Sequence, residues 1–263
     1  MLVSSSHRRE HLASIQLPGA VWLGSAPTEP VRRVPTGIVP LDELIGGGLP
    51  RGHLSEITGA PSSGRTGLLH AVLASATRRG EVVAVVDLPG ALDPATLAGA
   101  GADLARVLWV CPPSPQVAFK CAELILAAGG FGLVAVDGLE ARAARTNAGP
   151  MTRALPAHTW PRLAQVAKRA GAVVLILAPR RIAGGAAALA LTLTQRHVRW
   201  SGALFEGITT RASLARSRFG PAERTITLTL GERLAALGGV KVERFPVEER
   251  GRGGEASSRV VRR

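Results

Sequence analysis

The chain has 263 residues, 46% of them hydrophobic, which is enough for one large α/β domain with a buried core. It contains no uncharged apolar run of about 18 residues, which argues against a membrane-spanning helix. Its two cysteines, and the absence of an apolar secretory segment behind the first ten residues, indicate a cytoplasmic protein with reduced thiols and no cysteine-based metal site.

The charge balance indicates a polyanionic partner. Lys and Arg number 32 against 19 Asp and Glu, a formal net charge of +13, and nucleic acid is the first candidate for such a surface. The codon bias of a GC-rich genome explains arginine in place of lysine, but not the excess of bases over acids. Aromatic residues make up 3%, with no tyrosine, so DNA contact is expected mainly at phosphates and is expected to be salt-sensitive.

The pattern of apolar residues predicts three regions. Residues 1–30 are expected to form an N-terminal arm with a weak helix at His7–Ile15, and residues 31–243 a core domain. Residues 244–263 contain six arginines against three glutamates, together with glycines and serines, which is typical of a disordered Arg-rich tail.

Helices and strands alternate through the first part of the core. Helices are expected at Leu41–Ile45, Gly64–Arg78, Val117–Ala128 and Pro161–Ala170, and strands at His53–Thr58, Val82–Val86, Val107–Val110, Gly132–Val136 and Ala172–Leu177. Residues 189–200 and 212–230 then favour further strands. This order predicts a doubly wound, mainly parallel sheet flanked by helices, with antiparallel strands toward the C-terminus.

A phosphate-binding loop with one exceptional residue follows the first core strand. Gly59–Thr66 matches the pattern G-x-x-x-x-G-K-[S/T], except that Arg65 stands where lysine is expected. Such a loop wraps an anion with backbone N–H groups, here those of Ser62, Ser63 and Gly64. Arginine keeps the charge, but its planar fork does not replace a compact ammonium group. The alternative is a glycine-rich strand-to-helix turn kept only for its geometry.

The order of short motifs resembles the RecA recombinase superfamily. The motifs are Val34-Pro35-Thr36-Gly37, Gly47-Gly48-Leu49-Pro50-Arg51-Gly52, the loop itself, Ala91-Leu92-Asp93-Pro94, Val134-Ala135-Val136-Asp137 and Gly207-Ile208-Thr209-Thr210-Arg211. Trp22 and the compact length further resemble the ImuA (SulA-like) branch. Proteins of that bacterial branch are encoded with an ImuB-type polymerase homologue and serve damage-induced mutagenic DNA synthesis.

The resemblance implies ATP and Mg²⁺ as ligands, with the Thr66 hydroxyl on the metal and Asp137 as the Walker B carboxylate. It also places Pro89 where hydrolysing relatives have a catalytic glutamate, and proline has no side-chain base. Thr96 stands where relatives stack an aromatic ring on adenine. Ala178 and Pro179 replace a polar sensor. We therefore expect a degenerate nucleotide site that requires no cofactor and has no catalytic residue, with Asp87 and Asp93 fixing a turn.

Arginines elsewhere match the superfamily's contact surfaces. Arg216 and Arg218 resemble a basic pair that reaches a neighbouring protomer's nucleotide. The DNA-contacting loops map to residues 138–160 and 179–188, with the arginines Arg142, Arg145, Arg153, Arg180 and Arg181. The alternative for each is a solvated surface charge.

Three functions remain open from the sequence. The first is a non-catalytic RecA-like accessory protein of the bacterial DNA-damage (SOS) response, which binds or modulates a RecA-type recombinase and an ImuB-type polymerase homologue and supports translesion synthesis. The second is a DNA-dependent ATPase or recombinase, which requires a replacement base. The third is a basic DNA-binding scaffold. The four departures at the nucleotide site, Arg65, Pro89, Thr96 and Ala178–Pro179, favour the first function.

Overall fold

The computed structural model describes residues 31–138, 156, 158–220 and 222–231. The predicted N-terminal arm with its helix at His7–Ile15, the Arg-rich tail and the loop arginines Arg142, Arg145 and Arg153 lie outside these residues. No helix among the described residues is long and apolar enough to cross a membrane.

Ten strands and five α-helices make up the described part of the chain. The strands are β1 (Arg33–Val34), β2 (Leu49–Pro50), β3 (Leu54–Gly59), β4 (Val82–Asp87), β5 (Val107–Val110), β6 (Phe131–Asp137), β7 (Val173–Ala178), β8 (Ala187–Ser201), β9 (Leu204–Ser217) and β10 (Arg224–Leu230). The helices are α1 (Val39–Ile45), α2 (Arg65–Arg78), α3 (Pro94–Gly99), α4 (Pro115–Ala128) and α5 (Thr159–Ala170).

Eight strands form one sheet in the order β10-β9-β8-β3-β7-β6-β4-β5. The pairs from β8 to β5 are all parallel, whereas β9 runs antiparallel to both β8 and β10. The predicted mainly parallel sheet with antiparallel strands toward the C-terminus is therefore confirmed. The strands β1 and β2 form a separate antiparallel pair.

Two apolar layers cover the two faces of the sheet, because successive side chains of a strand point to opposite faces. On β4, Val83 and Val85 pack with α1 and α2, while Ala84 and Val86 pack with α4 and α5. The same division continues along β6 and β7. Since both faces are buried, the central strands are continuous apolar runs, as the sequence predicted.

One carboxylate and one glycine fix the conformation of the segment before β3. Asp42 Oδ1 accepts hydrogen bonds from the N–H and the hydroxyl of Thr36, both at 2.8 Å. Gly48 has φ +125°, and a Cβ there would lie 2.7 Å from the carbonyl carbon of Val34. The glycine run is therefore needed for a close approach between the β1 and β2 segments.

Candidate functional site

The phosphate-binding loop lies where the parallel strands end. It follows β3 directly and leads into α2, and the carboxyl ends of β4, β6 and β7 open at the same edge of the sheet. Ligands of doubly wound sheets bind at this edge, because loops and helix N-termini converge there. The structure thus brings Gly59–Thr66 and Asp137 to one end of the sheet, as the sequence predicted.

The loop has the tight backbone that an anion cradle requires. Ser62 has φ +61° and Gly64 φ +98°, two left-handed residues within three positions. The N–H of Ser63 donates to the carbonyl oxygen of Ala60 at 3.1 Å and closes the turn. Gly64 has φ +98°, so a residue with a side chain would be strained there, and its Cβ would lie 2.7 Å from Leu230 Cδ1. A cavity of about 190 Å³ remains over the loop.

The side chains of the loop differ in their environment. Ser63 is buried and its Oγ has no hydrogen-bond partner among the described residues, whereas Ser62 and Thr66 are exposed. Arg65 is half-buried at the first position of α2. An enclosed hydroxyl without a partner is uncommon in folded proteins, and it fits a loop that accepts a polar ligand.

The charges of the Asp137 carboxylate and the Arg65 guanidinium interact. Burial raises the pKa of Asp137, the Arg65 guanidinium opposes this rise, and the Asp87 carboxylate adds to it. Asp87 and Asp137 are the final residues of β4 and β6 and are direct neighbours in the sheet. Arg65 therefore supplies positive charge beside the two carboxylates at the strand ends.

The position predicted for the catalytic glutamate holds a packed proline. A Cβ on Gly138 would meet the Pro89 ring, with Cγ at 2.9 Å, so Pro89 lies directly against the end of β6. A side chain of this kind has no group that removes a proton from water.

The two aspartates near Pro89 are used in structural contacts. Asp87 Oδ2 accepts hydrogen bonds from the N–H of Leu92 at 2.8 Å and from Trp109 Nε1 at 3.2 Å. Asp93 caps α3 by accepting from the N–H groups of Ala95 and Thr96 and from the Thr96 hydroxyl. Both aspartates fix the turn after β4, as predicted.

A larger cavity lies beside the loop, and Thr96, which the resemblance places at the adenine position, is on its wall. It measures about 660 Å³ and is enclosed by α2, α3 and the ends of β9 and β10. Its walls include Gly67 and His70 of α2 and Thr96 of α3, with Ile208 and Leu230 from the late strands. Ile208 and Leu230, which sequence reasoning did not assign to the site, reach the cavity through the antiparallel pairing of β9 and β10.

Some of the arginines predicted to contact DNA or a neighbouring protomer form ion pairs or hydrogen bonds within the fold. Arg181 Nε lies 3.8 Å from Oε2 of Glu56, a buried residue of β3. Arg218 lies just beyond β9, and its guanidinium donates to the carbonyl oxygen of Gly185. Arg216 is half-buried in β9 with Nε enclosed, and Arg180 is exposed. The two arginines Arg216 and Arg218 are thus not equivalent positions of one strand.

The comparison with sequence families agrees with this geometry. A match to the RecA N-terminal domain covers residues 17–175, more than half of the chain. The chain belongs to the RecA N-terminal domain family. The strand order is therefore that of a RecA-like core.

Individual relatives support the same family. The chain is 39% identical to Protein RecA of Clavibacter michiganensis subsp. michiganensis over 120 residues, which is 45% of this chain and 33% of that protein. It is 40% identical over 126 residues to Protein RecA of Streptomyces avermitilis, 47% of this chain and 33% of that protein. The chain thus matches about a third of the length of these relatives.

A solved structure supports the fold alone. The RadB recombinase superposes with a TM-score of 0.60 at 23% sequence identity, covering 76% of this chain and 97% of that chain. The superposition covers a larger share of this chain than the family match does.

The loop has the features of an anion cradle. The close packing at Gly64 and the unpartnered Ser63 hydroxyl belong to a cradle, and the cavity over the loop leaves room for an anion. If a nucleotide binds, the loop would hold its phosphates, with Arg65 as the adjacent positive charge.

Proposed function

We propose that this chain is a non-hydrolysing RecA-like accessory protein of the bacterial DNA-damage (SOS) response. It binds or modulates a RecA-type recombinase and an ImuB-type polymerase homologue, and so supports DNA synthesis across lesions. The observation that carries the proposal is Pro89, packed on Gly138 and standing where the family resemblance expects the catalytic glutamate, with Asp87 and Asp93 engaged in the turn. The motifs resembling the ImuA branch favour the damage-response context.

The chemistry of this site explains a loss of turnover. Removal of a general base lowers a rate by about 10²–10⁴-fold. The Arg65 fork at the lysine position lowers it further, because a planar guanidinium has a different reach and shape from an ammonium group. A chain with the RecA fold and without turnover would act through binding, and its net charge of +13 favours contact with DNA phosphates.

A second candidate is a DNA-dependent ATPase or recombinase. It is favoured by the relatives named Protein RecA at 39% and 40% identity. This function requires nucleotide-dependent filaments and a carboxylate in place of Pro89. A basic DNA-binding scaffold, the third candidate, predicts salt-sensitive DNA binding as the dominant activity.

The experiment measures strand exchange by a RecA-type recombinase while purified full-length chain is added below the recombinase concentration, with phosphate release followed in the same samples. Changed strand exchange without added turnover supports the accessory function. Unchanged exchange and no binding to either protein partner contradicts it. Turnover by this chain in the absence of the recombinase favours the second candidate.

A further inference from the structure

A group of basic side chains lies at the amino end of the central strands, away from the phosphate-binding loop. The N–H of Gly52, just before β3, donates to the carbonyl oxygen of Ala172, just before β7, at 2.9 Å. A Cβ on Gly52 would lie 3.4 Å from Lys168 Cα, so the end of α5 packs against this edge. The phosphate-binding loop follows the opposite end of β3, about 20 Å away for a strand of this length.

A stack of three side chains forms the centre of this basic group. The His53 ring lies parallel to the Phe219 ring, with the ring centroids 5.1 Å apart and an interplanar angle of 8°. The Arg33 guanidinium lies over the same Phe219 ring, 5.1 Å from its centroid. It also donates to the carbonyl oxygens of Ile45 and Gly48, both at 3.0 Å. The positive charge of Arg33 is therefore held in a fixed position.

The charges of Lys168 and Arg218 act on the His53 ring together with that of Arg33. Burial lowers the pKa of His53, and the positive charges of Arg218, Lys168 and Arg33 lower it further, whereas no carboxylate of the described residues opposes them. Arg218 donates to the carbonyl oxygen of Gly185, which leaves its charge without a counter-ion. At neutral pH, His53 is thus uncharged and three cations remain. We call Arg33, His53, Lys168 and Arg218 the amino-edge cluster.

The cations of the amino-edge cluster have no acidic partner in the described part of the chain. None of Arg33, Lys168 and Arg218 forms an ion pair there. By contrast, Arg51, which precedes the same strand, is paired with Glu81 at 2.5 Å. Like charges that converge without a counter-ion repel one another, so an anion bound among them would be stabilised.

The arrangement favours the carboxylates of a peptide over a nucleic acid strand. Single-stranded nucleic acid binds along a basic groove and stacks its bases on aromatic rings. Here the cations converge on one imidazole, and the Phe219 ring is already engaged by His53 and Arg33. A guanidinium forms short, charge-assisted hydrogen bonds with a carboxylate in a planar geometry. One or two acidic side chains would therefore match the cluster.

We propose that the amino-edge cluster is the docking site for an acidic peptide segment of a protein partner. Carboxylates of that segment pair with Lys168 and Arg218, and Arg33 adds a fixed positive charge beside them. The inference deepens the proposed function, on which it rests, because it assigns the face of the chain that meets the protein partner. This face lies at the end of the sheet opposite to the phosphate-binding loop and does not depend on a bound nucleotide.

The test measures the fluorescence anisotropy of a labelled peptide of alternating glutamate and glycine during titration with the purified full-length chain. Lys168→Gln and Arg218→Gln should each weaken binding roughly threefold, and the double variant roughly tenfold, because each removes one solvent-exposed charge pair. Lys120→Gln is the matched control, since Lys120 is an exposed lysine of α4 outside the cluster and its substitution changes the net charge equally. The control should bind the peptide as the wild type does.

A second measurement locates the bound peptide. The NMR signal of the His53 ring should shift when the peptide is added, because a carboxylate would lie beside the imidazole, whereas the signal of the exposed His197 ring should not. Thermal unfolding of each variant shows whether a loss of binding comes from a loss of fold. If Arg218→Gln is destabilised by the loss of its contact with Gly185, Lys168→Gln decides, since Lys168 is exposed.

Equal affinities of the Lys168→Gln and Lys120→Gln variants would overturn the inference, because net charge alone would then attract the peptide. No peptide binding by the wild type would also overturn it. A thymidine oligonucleotide of equal net charge that displaces the peptide and shifts the His53 signal would assign the cluster to nucleic acid, and the inference would again be wrong.

The inference and the proposed function fail in different ways. Peptide binding that depends on Lys168, together with unchanged strand exchange by the recombinase, would support the inference and contradict the proposed function. Changed strand exchange without peptide binding would contradict the inference alone.

Discussion

Glu56 connects the central strand to the loop that was expected to contact DNA. It is fully buried on β3, and its Oε1 accepts hydrogen bonds from the N–H groups of Ile182 at 2.6 Å and Ala183 at 3.1 Å. Oε2 lies 3.8 Å from Arg181 Nε. One carboxylate thus positions the segment after β7, and Glu56→Ala should release it.

The expected decrease in the free energy of unfolding follows from the two backbone N–H groups that would lose their acceptor. Hydrogen bonds to a charged group contribute about 1.5–3 kcal/mol each, and the buried Ala183 N–H would be left without an acceptor. Removing the carboxylate also removes its desolvation penalty, so the free energy of unfolding should fall by about 3 kcal/mol. Glu56→Gln keeps an acceptor oxygen in place and should lose only about 1 kcal/mol.

Urea unfolding followed by tryptophan fluorescence measures these free energies, and trypsin cleavage after Arg180 or Arg181 reports on release of the loop. Glu206→Ala is the control, because the Glu206–Arg199 pair is exposed at 3.5 Å and should change stability by less than about 0.5 kcal/mol. A Glu56→Ala variant as stable and as resistant to trypsin as the wild type would refute the role of this carboxylate.

Three further predictions concern the same framework. Gly48→Ala should lower the free energy of unfolding by about 2–3 kcal/mol in urea, because of its positive φ and the close Val34 carbonyl; a change below ~0.5 kcal/mol would contradict this. Asp93→Ala should lower the urea unfolding midpoint by uncapping α3, and an unchanged midpoint would count against the cap. Because burial lowers the pKa of His70 from 6.5, the unfolded chain binds that proton first, so stability should fall as pH drops below about 6.5. His70→Leu should make this fall shallower, and an identical pH profile would contradict the assignment.

The central sheet could be predicted from sequence because its signals are local. The apolar run Val82–Val86 predicts a strand covered on both faces, and the structure has β4 there with helices on each side. The spacing of Gly59, Gly64 and Thr66 predicts a strand, a loop and a helix in that order. Asp137 could be predicted as a site residue because it comes directly after an apolar strand.

The parts that escaped prediction depend on contacts between distant segments. Leu230 covers Gly64 only because β10 pairs with β9 in one particular register, which no periodicity specifies. The hydrogen bond from Trp109 to Asp87 and the contact of Arg218 with Gly185 arise in the same way. Residue type alone marks an arginine as a candidate for DNA contact and does not show that a carbonyl oxygen already binds it.

The central claim is that a RecA-like core has kept its phosphate-binding frame and lost the groups that cleave ATP. Its most direct test is steady-state phosphate release from ATP by the purified full-length chain, with Mg²⁺ and single-stranded DNA, beside the Thr66→Ala variant as the background. We expect the wild type and the variant to release phosphate at the same background rate. DNA-stimulated release by the wild type that is lost in Thr66→Ala would contradict the account.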